Sequence, residues 1–312
     1  DQFNALVFKS ESPWHNIVIL RAYAKYLRQL GVPYSQSYIE EALIHQPNIV
    51  KKLVDLFYLR FDPEMQKIKT RESKEKNLVS SITKALDEVK SLDEDRILRS
   101  YLNLITSTLR TNYFQRKIEE QKENVLSFKI HAAKIFDMPE PRPEYEIFMY
   151  SPRMEAVHLR GGKIARGGIR WSDRREDFRT EILGLMKAQM VKNTVIVPTG
   201  AKGGFIVKTT KNGKTRDEFL QEGIACYQQM IRGILDITDN IKSGKAVPPQ
   251  KVVIYDEDDP YLVVAADKGT ATFSDIANEI SAEYNFWLGD AFASGGTSGY
   301  DHKNMGITAR GA

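Results

Sequence analysis

Beyond residue 123, short apolar runs with strand character alternate with helical stretches, and this alternation constrains the fold more than any other feature of the sequence. The runs with strand character lie at 125–130, 145–150, 154–158, 194–197, 205–208, 251–255 and 262–265, and the helical stretches at 174–192, 216–235 and 271–287. Such alternation is typical of an α/β domain built around a largely buried sheet.

The residues before this region carry the apolar spacing of helices. Helices are predicted at 14–30, 37–61, 70–88 and 93–113. The second is expected to break at Gln46-Pro47, because the residue before proline resists helical backbone angles. Ser91 or Asp93 would cap the last. We therefore predict an all-α helical domain over residues 1–122, followed by an α/β domain over residues 123–312.

The composition is that of an ordinary soluble globular protein, with 42% hydrophobic and 28% charged residues. No apolar run approaches the roughly 20 residues that span a bilayer, and the first residues lack the basic and apolar regions of a signal peptide. The single cysteine, Cys226, excludes a disulfide within the chain and fits a reducing compartment. We expect a cytoplasmic protein with no membrane partner.

Positive charge is concentrated in residues 151–216, where 15 Lys and Arg face 5 Asp and Glu. The net charge of the whole chain is only +4, so the remaining residues are acidic on balance. A concentrated basic segment attracts anions, which include carboxylates, phosphates and nucleic acids. A solvated, helix-rich surface is the alternative interpretation of this segment.

Two lysines of the basic segment stand where a cleft could form. Lys192 lies in the last turn of the predicted helix 174–192, where it either satisfies terminal carbonyl groups or points from the end of the helix into a cleft. Lys202 lies in the predicted glycine-rich loop 198–204, between two apolar runs. It is either a turn lysine in solvent or a lysine held close to a substrate, where partial desolvation beside other cations would suit a general base.

The segment 160–170, with the sequence RGGKIARGGIR, contains two pairs of glycines around two isoleucines. Because these pairs lie within folded alternation, we predict a hairpin and not a disordered RNA-binding repeat. Gly167 and Gly168 would let Arg166 approach a carboxylate, to which its guanidinium offers a planar pair of donors.

Carboxylates form a further cluster near the end of the chain. Asp267 ends the predicted strand 262–265 and precedes Thr270, the apparent cap of the next helix, so it lies at the edge of the sheet where ligands bind. The run 256–259 consists of four acidic residues; it could bind Mg²⁺, but a solvated loop is the interpretation we favour. The five histidines lack metal-ligand spacing and are interpreted as structural, and we predict no metal site.

Several long segments of the chain resemble the large bacterial NAD-specific glutamate dehydrogenases. They are LRAYAKYLRQLGVPYSQSYIEEAL, LDEDRILRSYLNLITSTLRTNYFQ, HLRGGKIARGGIRWSDRREDFRTEILGLMKAQMVKN and GYDHKNMGITARGA. The resemblance implies an α/β substrate-binding domain of amino-acid dehydrogenase type. It also implies oxidative deamination of L-glutamate to 2-oxoglutarate and ammonia with NAD as cofactor, in a homo-oligomer without a nucleic-acid partner.

Smaller glutamate dehydrogenases share the pattern K-G-G-[IL]-R, a lysine that ends a helix, P-x-G-G-A-K-G-G and P-A-x-D-x-G. By that pattern, Arg166 would grip the side-chain carboxylate of the substrate beside Gly167 and Gly168, and Lys192 would hold the α-carboxylate. Lys202 would be the catalytic lysine, and Asp267 would relay protons to the departing nitrogen. In this sequence, arginine replaces the first lysine of the pattern, and the loop that contains Lys202 has one glycine fewer. These departures concern the role assigned to Arg166 more than the roles assigned to Lys202 and Asp267.

The sequence contains no G-x-G-x-x-G between a strand and a helix, so NAD would be bound mainly by a domain outside this chain. We therefore expect the isolated 312 residues to produce no NADH from glutamate. Two other classes stay open: a nucleic-acid-binding protein that uses the basic segment, and a helical interaction module. Calorimetry with glutamate and 2-oxoglutarate, compared with salt-dependent oligonucleotide binding, separates these classes.

Overall fold

The computed structural model describes residues 2–10, 12–115, 125–192, 199–209, 215–267, 270 and 272–297. The chain divides into two compact units, of which the first comprises Asp1–Pro152 with Pro249–Glu257 and the second Arg153–Pro248 with Asp258–Ala312. The predicted domain boundary at 122/123 lies outside the described residues and stays a prediction.

The first unit begins with helices, as the sequence predicts. They are α1 (Phe3–Lys9), α2 (Trp14–Gln29), α3 (Gln36–His45), α4 (Pro47–Phe61), α5 (Arg71–Leu86) and α6 (Leu92–Ser107). The predicted break at Pro47 is confirmed, because this proline occupies the first turn of α4, where its missing N–H costs nothing. Ser91 caps α6 by accepting a hydrogen bond from the Glu94 N–H. This helix ends at Ser107, earlier than predicted.

The first unit also contains the antiparallel strands β1 (Thr108–Thr111), β2 (Leu126–His131) and β3 (Tyr145–Tyr150), paired in that order. Two tyrosines of α2 join the helices to these strands. The ring of Tyr23 stacks on Phe128 at 4.4 Å between centroids, and the Tyr26 hydroxyl donates to the buried carboxylate of Glu146 at 2.6 Å. The helices and the strands of the first unit therefore share one core.

The strand predicted at 251–255 is wrong, because this segment forms no sheet. It is held instead by the side chain of Tyr255. The Tyr255 hydroxyl donates to the carbonyl oxygen of Arg60 at 2.8 Å and accepts from Arg71 at 2.7 Å. The Arg60 guanidinium lies 4.3 Å from the centre of the tyrosine ring, which adds a cation–π contact.

The acidic run 256–259 is not the solvated loop that the sequence favoured. In the first unit, Asp256 pairs with the buried side chains of Arg110 and Lys129, at 2.6 and 2.5 Å. In the second unit, Asp259 is buried and pairs with Arg160 at 2.7 Å. Only the two middle residues of the run are exposed. Two of the four carboxylates therefore neutralise buried cations.

The second unit is a mixed sheet with helices. Its strands are β4 (Met154–Arg160), β5 (Ala165–Trp171), β6 (Thr199–Val207), β9 (Leu262–Ala265) and β10 (Ala293–Ser294), in the order β4-β6-β5-β9-β10. Strand β4 is antiparallel to β6, whereas β6, β5, β9 and β10 run parallel. The remaining elements are α7 (Phe178–Lys192), α8 (Arg216–Leu235), α9 (Ser274–Glu283) and the small hairpin β7 (Asn240–Lys242) and β8 (Lys245–Val247).

Helices α7 and α8 pack on opposite faces of β6, and two successive glycines make room for them. A Cβ atom at Gly203 would lie 3.0 Å from Met230 of α8, whereas one at Gly204 would overlap Ile182 of α7. Successive residues of a strand face opposite sides of the sheet. The predicted apolar face of α7 is confirmed at Phe178 and Ile182, which are fully buried.

Several local predictions in this unit are wrong. The supposed hairpin 160–170 does not pair with itself, because β6 lies between β4 and β5. The supposed loop 198–204 is strand from Thr199 onward. Helix α7 begins at Phe178, later than predicted, and α9 begins at Ser274, so Thr270 is not its cap. The predicted strand 194–197 lies outside the described residues.

These findings confirm the coarse prediction of an α/β domain preceded by helices. In the part of the chain that the structure describes, no helix combines the length and the apolar character needed to cross a membrane.

Candidate active site

The backbones of β5 and β6 approach each other closely beside Gly167. Strand β5 pairs Arg166 with Gly200 and Ile169 with Gly203 of β6. Between these two points, a Cβ atom at Gly167 would overlap the carbonyl oxygen of Ala201. A glycine is therefore required here by the distance between the strands.

Lys202 and Asp267 form an ion pair between the Nζ and Oδ2 atoms. Lys202 lies within β6, and Asp267 follows the last residue of β9 by two positions, at the carboxyl end of that strand. The lysine side chain is 15% exposed and the aspartate side chain 20%. The two predicted catalytic residues thus meet in a partly buried position from which a ligand can be reached.

The bare backbone of Gly168 forms one wall of this pair. A Cβ atom at Gly168 would lie 3.1 Å from Lys202 Nζ and 3.4 Å from Asp267 Cβ. Gly168 also pairs with Ala265 of β9, which fixes the strand against the segment that leads to Asp267. The second predicted glycine therefore leaves space for the ammonium and the carboxylate.

Arg166 lies two residues before Gly168 in β5. Residues two apart on a strand share a face, so Arg166 leaves β5 on the face that Gly168 presents to Lys202. Its backbone pairs with Gly200 on one side and Val263 on the other, and its side chain is exposed. Arg166 is thus an exposed residue on the face of β5 that Gly168 presents to Lys202 and Asp267.

Lys192 is the last residue of α7, as the sequence predicts. Its side chain lies outside the described residues. The structure brings Lys202 and Asp267 together against Gly168 and places Arg166 on the same face of β5 as Gly168. Gly167, the next residue along, lies at the close approach of β5 to β6. The position of the Lys192 ammonium stays a prediction.

A buried polar group lies on the opposite face of β6. His158 of β4 pairs with Gly203 and is fully buried, and Arg160 donates from Nε to the Nδ1 atom of His158 at 3.2 Å. Burial, and then the Arg160 guanidinium, lowers the pKa of His158 to about 3. Arg160 is in turn paired with the buried Asp259. The neutral imidazole thus supports the strand that carries Lys202.

Sequence reasoning missed this group and also the role of Thr270. The pairing of Arg160 with Asp259 joins residues 99 positions apart, so no local spacing could reveal it. Thr270 is buried, and its hydroxyl lies within hydrogen-bonding distance of Ile169 of β5 and of the Asp267 N–H. The only sequence signal was its position three residues after Asp267, at which a hydroxyl can bond to a nearby backbone group.

The described residues contain no group of three or more histidine, cysteine, aspartate or glutamate side chains that could hold a metal ion. The ion pair of Lys202 and Asp267 offers two groups that can exchange protons, and the cations of the site can bind anions.

Residues 81–312 match a family described as bacterial NAD-glutamate dehydrogenase, catalytic domain, and residues 1–63 match glutamate dehydrogenase, helical motif 3. The chain belongs to the bacterial NAD-glutamate dehydrogenase family. The resemblance that the sequence segments indicated is thereby confirmed, and the catalytic-domain match includes every candidate site residue.

The relatives that match are NAD-specific glutamate dehydrogenases. The protein of Pseudomonas aeruginosa is 59% identical over 313 residues, that of Halomonas elongata 57% over 312, and that of Mycobacterium tuberculosis 57% over 320. Each alignment covers 100% of this chain but only 19%, 19% and 20% of the respective relatives. The chain thus spans about a fifth of the length of the curated relatives it matches.

Proposed function

We propose that this protein catalyses the oxidative deamination of L-glutamate to 2-oxoglutarate and ammonia, and that the second unit contributes the substrate-binding residues. The observation that carries the proposal is the ion pair of Lys202 and Asp267 against the bare backbone of Gly168. This pair supports the proposal because a lysine and a carboxylate in contact would both act on one substrate carbon. The names of the relatives support the same reaction and the same cofactor, NAD.

NAD, which the names of the relatives include, would supply the hydride acceptor for the Cα hydrogen of glutamate in the proposed reaction. The dinucleotide fingerprint is absent from the sequence, so no residue is assigned to NAD⁺ and the steps below concern only the substrate and protons.

We assign substrate binding to the cations of the site. Arg166 would bind the side-chain carboxylate of glutamate and Lys192 the α-carboxylate, which together fix the orientation of the Cα hydrogen. A cation at position 166 also favours an acidic substrate, because a guanidinium offers a planar pair of donors that matches a carboxylate. L-Glutamate and 2-oxoglutarate are therefore the proposed ligands.

We assign proton transfer to Lys202 and Asp267. Lys202 would activate the water that attacks the imine formed from glutamate, and Asp267 would exchange protons with the amino group that leaves as ammonia. The sequence suggested that neighbouring cations would prepare the lysine. In the structure its partner is a carboxylate, so a proton can pass directly between the two catalytic groups.

Ion pairs within the basic segment favour this small-anion interpretation over a nucleic-acid surface. Its cations that pair with carboxylates include Arg153, Arg160, Arg170, Arg174, Lys202 and Lys208. A cation already paired with a carboxylate contributes less to the field that attracts a polyanion.

Three finer expectations remain part of the proposal. The second unit is proposed to be a substrate-binding domain of amino-acid dehydrogenase type, because its parallel strands bring the candidate residues together. The active protein is proposed to be a cytoplasmic homo-oligomer. Size measurement of the full-length protein by light scattering tests the oligomer.

The substitution Lys202→Ala in the full-length enzyme tests the proposed function. We expect turnover to fall by about 10²- to 10⁴-fold, which is the range that general acid–base groups contribute. Calorimetry should show that the variant still binds glutamate. Lys208→Ala is the matched control, because Lys208 lies just beyond β6 and pairs with Glu155 at 3.0 Å, away from the catalytic pair. Near-normal turnover by the Lys202 variant would refute the assignment.

A further inference from the structure

We propose that Thr270 is a positioning residue, which holds Asp267 at the distance from Lys202 that proton transfer requires. The inference rests on the proposed function of the Lys202–Asp267 pair, and goes beyond it by naming the group that maintains the geometry of that pair.

The Thr270 hydroxyl connects the backbone of Asp267 to β5. It donates to the carbonyl oxygen of Ile169 at 2.7 Å and accepts from the Asp267 N–H at 3.1 Å. A hydroxyl has one proton to donate and two lone pairs, so both bonds can exist at once. The Thr270 N–H also donates to the Asp267 carbonyl oxygen at 3.0 Å. Asp267 is thus tied to Thr270 in both directions.

The hydrogen bonds of Thr270 hold Asp267 where the backbone pairing of the sheet has already ended. The ladder between β5 and β9 ends at the pair Gly168 and Ala265, two residues before Asp267. Past that point, the hydroxyl of Thr270 links the Asp267 backbone to Ile169, the neighbour of Gly168. Ile169 pairs with Gly203, the residue after Lys202. A short path of hydrogen bonds therefore joins the two catalytic residues through their backbones.

Burial makes the hydroxyl difficult to replace. Thr270 is 1% exposed, so water cannot readily take its place between the two backbone groups. Valine has nearly the same shape but can neither donate nor accept, and it would remove both bonds while filling the same space. Serine keeps the hydroxyl and loses only a methyl group. The two variants therefore separate hydrogen bonding from packing.

A small displacement of Asp267 would impair proton transfer more than substrate binding. A misplacement of about 1 Å can cost about 100-fold in rate. Arg166 and Lys192 are the residues proposed to bind the two carboxylates of the substrate, and a substitution at Thr270 changes neither of them. Thr270→Val should therefore lower kcat about 10- to 100-fold and leave KM for glutamate within about twofold.

The experiment compares Thr270→Val, Thr270→Ser and Thr238→Val in the full-length enzyme by steady-state kinetics and thermal unfolding. Thr238 is the matched control, because it is a buried threonine of the same unit whose hydroxyl donates to the Ile234 carbonyl at 2.8 Å. We expect kcat within about threefold of the parent for Thr270→Ser and within about twofold for Thr238→Val. If the valine variant fails to fold, Thr270→Ala takes its place.

Retention of kcat within twofold by Thr270→Val overturns the proposal. Equal losses in Thr270→Val and Thr270→Ser, or in Thr270→Val and Thr238→Val, also overturn it, because they indicate lost packing or stability instead of a lost hydrogen bond. The proposed function fails separately, if Lys202→Ala keeps near-normal turnover.

Discussion

A methyl group added at Gly168 should slow catalysis while leaving the fold almost unchanged. The Cβ atom of Gly168→Ala would lie 3.1 Å from Lys202 Nζ and 3.4 Å from the Ala266 carbonyl oxygen and from Asp267 Cβ. The two longer distances are ordinary contacts. Only the ammonium must withdraw, by roughly 0.3–0.5 Å, to reach a normal separation from carbon.

The cost to stability should be small for two reasons. The displaced atom is the end of a flexible side chain, and alanine restricts the unfolded chain relative to glycine by about 0.4–1 kcal/mol in favour of the fold. We therefore expect the free energy of unfolding to change by no more than about 1 kcal/mol. The effect on catalysis is larger. Scaled from about 100-fold per ångström, a displacement of this size lowers kcat by roughly 4- to 10-fold.

Gly167→Ala provides the contrast at the adjacent position. Its Cβ atom would overlap the Ala201 carbonyl oxygen, a backbone atom that can withdraw only if β5 and β6 separate. We expect a loss of about 3 kcal/mol or more, seen as a lower melting temperature or little folded protein.

The assay is the initial rate of NADH formation at saturating glutamate in the full-length enzyme, with thermal unfolding measured on the same preparations. The reasoning is refuted if Gly168→Ala keeps the parental kcat. It is equally refuted if both glycine variants lose the same stability, since the structure gives them different neighbours.

Three further predictions concern other parts of the molecule. Arg166→Leu should raise KM for glutamate at least about tenfold and improve relative activity toward leucine, as measured by kcat/KM for both amino acids; unchanged selectivity would contradict the assigned role. His158 has a pKa of about 3 in the fold and an ordinary value of 6.5, so its contribution to stability is complete above pH 6.5 and is lost as the pH falls toward 3, at up to about 1.4 kcal/mol per pH unit. His158→Gln should reduce the fall in the free energy of unfolding between pH 6.5 and pH 3, as measured by chemical denaturation at several pH values. An unchanged pH dependence would contradict a buried neutral imidazole. Asp256→Asn should destabilise the fold by about 3–5 kcal/mol in chemical denaturation, because Arg110 and Lys129 would stay buried without their carboxylate; a change below about 1 kcal/mol would contradict the burial of this cluster.

Elements with strong local signals were predicted well from the sequence. Helix α8 and strand β3 have the predicted bounds. Helix α8 starts with a capping box formed by Thr215 and Glu218, and the strand contains alternating apolar and aromatic residues that suit a sheet. The break before Pro47 was equally local, since the proline ring itself excludes the continued helix.

The glycine-rich segment was misinterpreted for a physical reason. Glycines usually mark turns, so residues 198–204 were predicted as a loop. In the structure, Gly203 and Gly204 lie within β6, where their missing side chains let α8 and α7 pack on the two faces. The prediction for 251–255 was wrong for the opposite reason, since this apolar run was predicted as a strand and forms none. An apolar run becomes a strand only where a neighbouring strand has backbone groups left to pair with it.

The sequence by itself determined the order of most elements, the family and the types of residue at the candidate site. Only the tertiary structure decided that Lys202 meets Asp267, that β6 lies between β4 and β5, and that Thr270 ties Asp267 to β5. Local patterns set backbone conformation because neighbouring residues determine it. Which distant segments pair depends on strand order and on the close approach of backbones, and these are settled only when the whole unit packs.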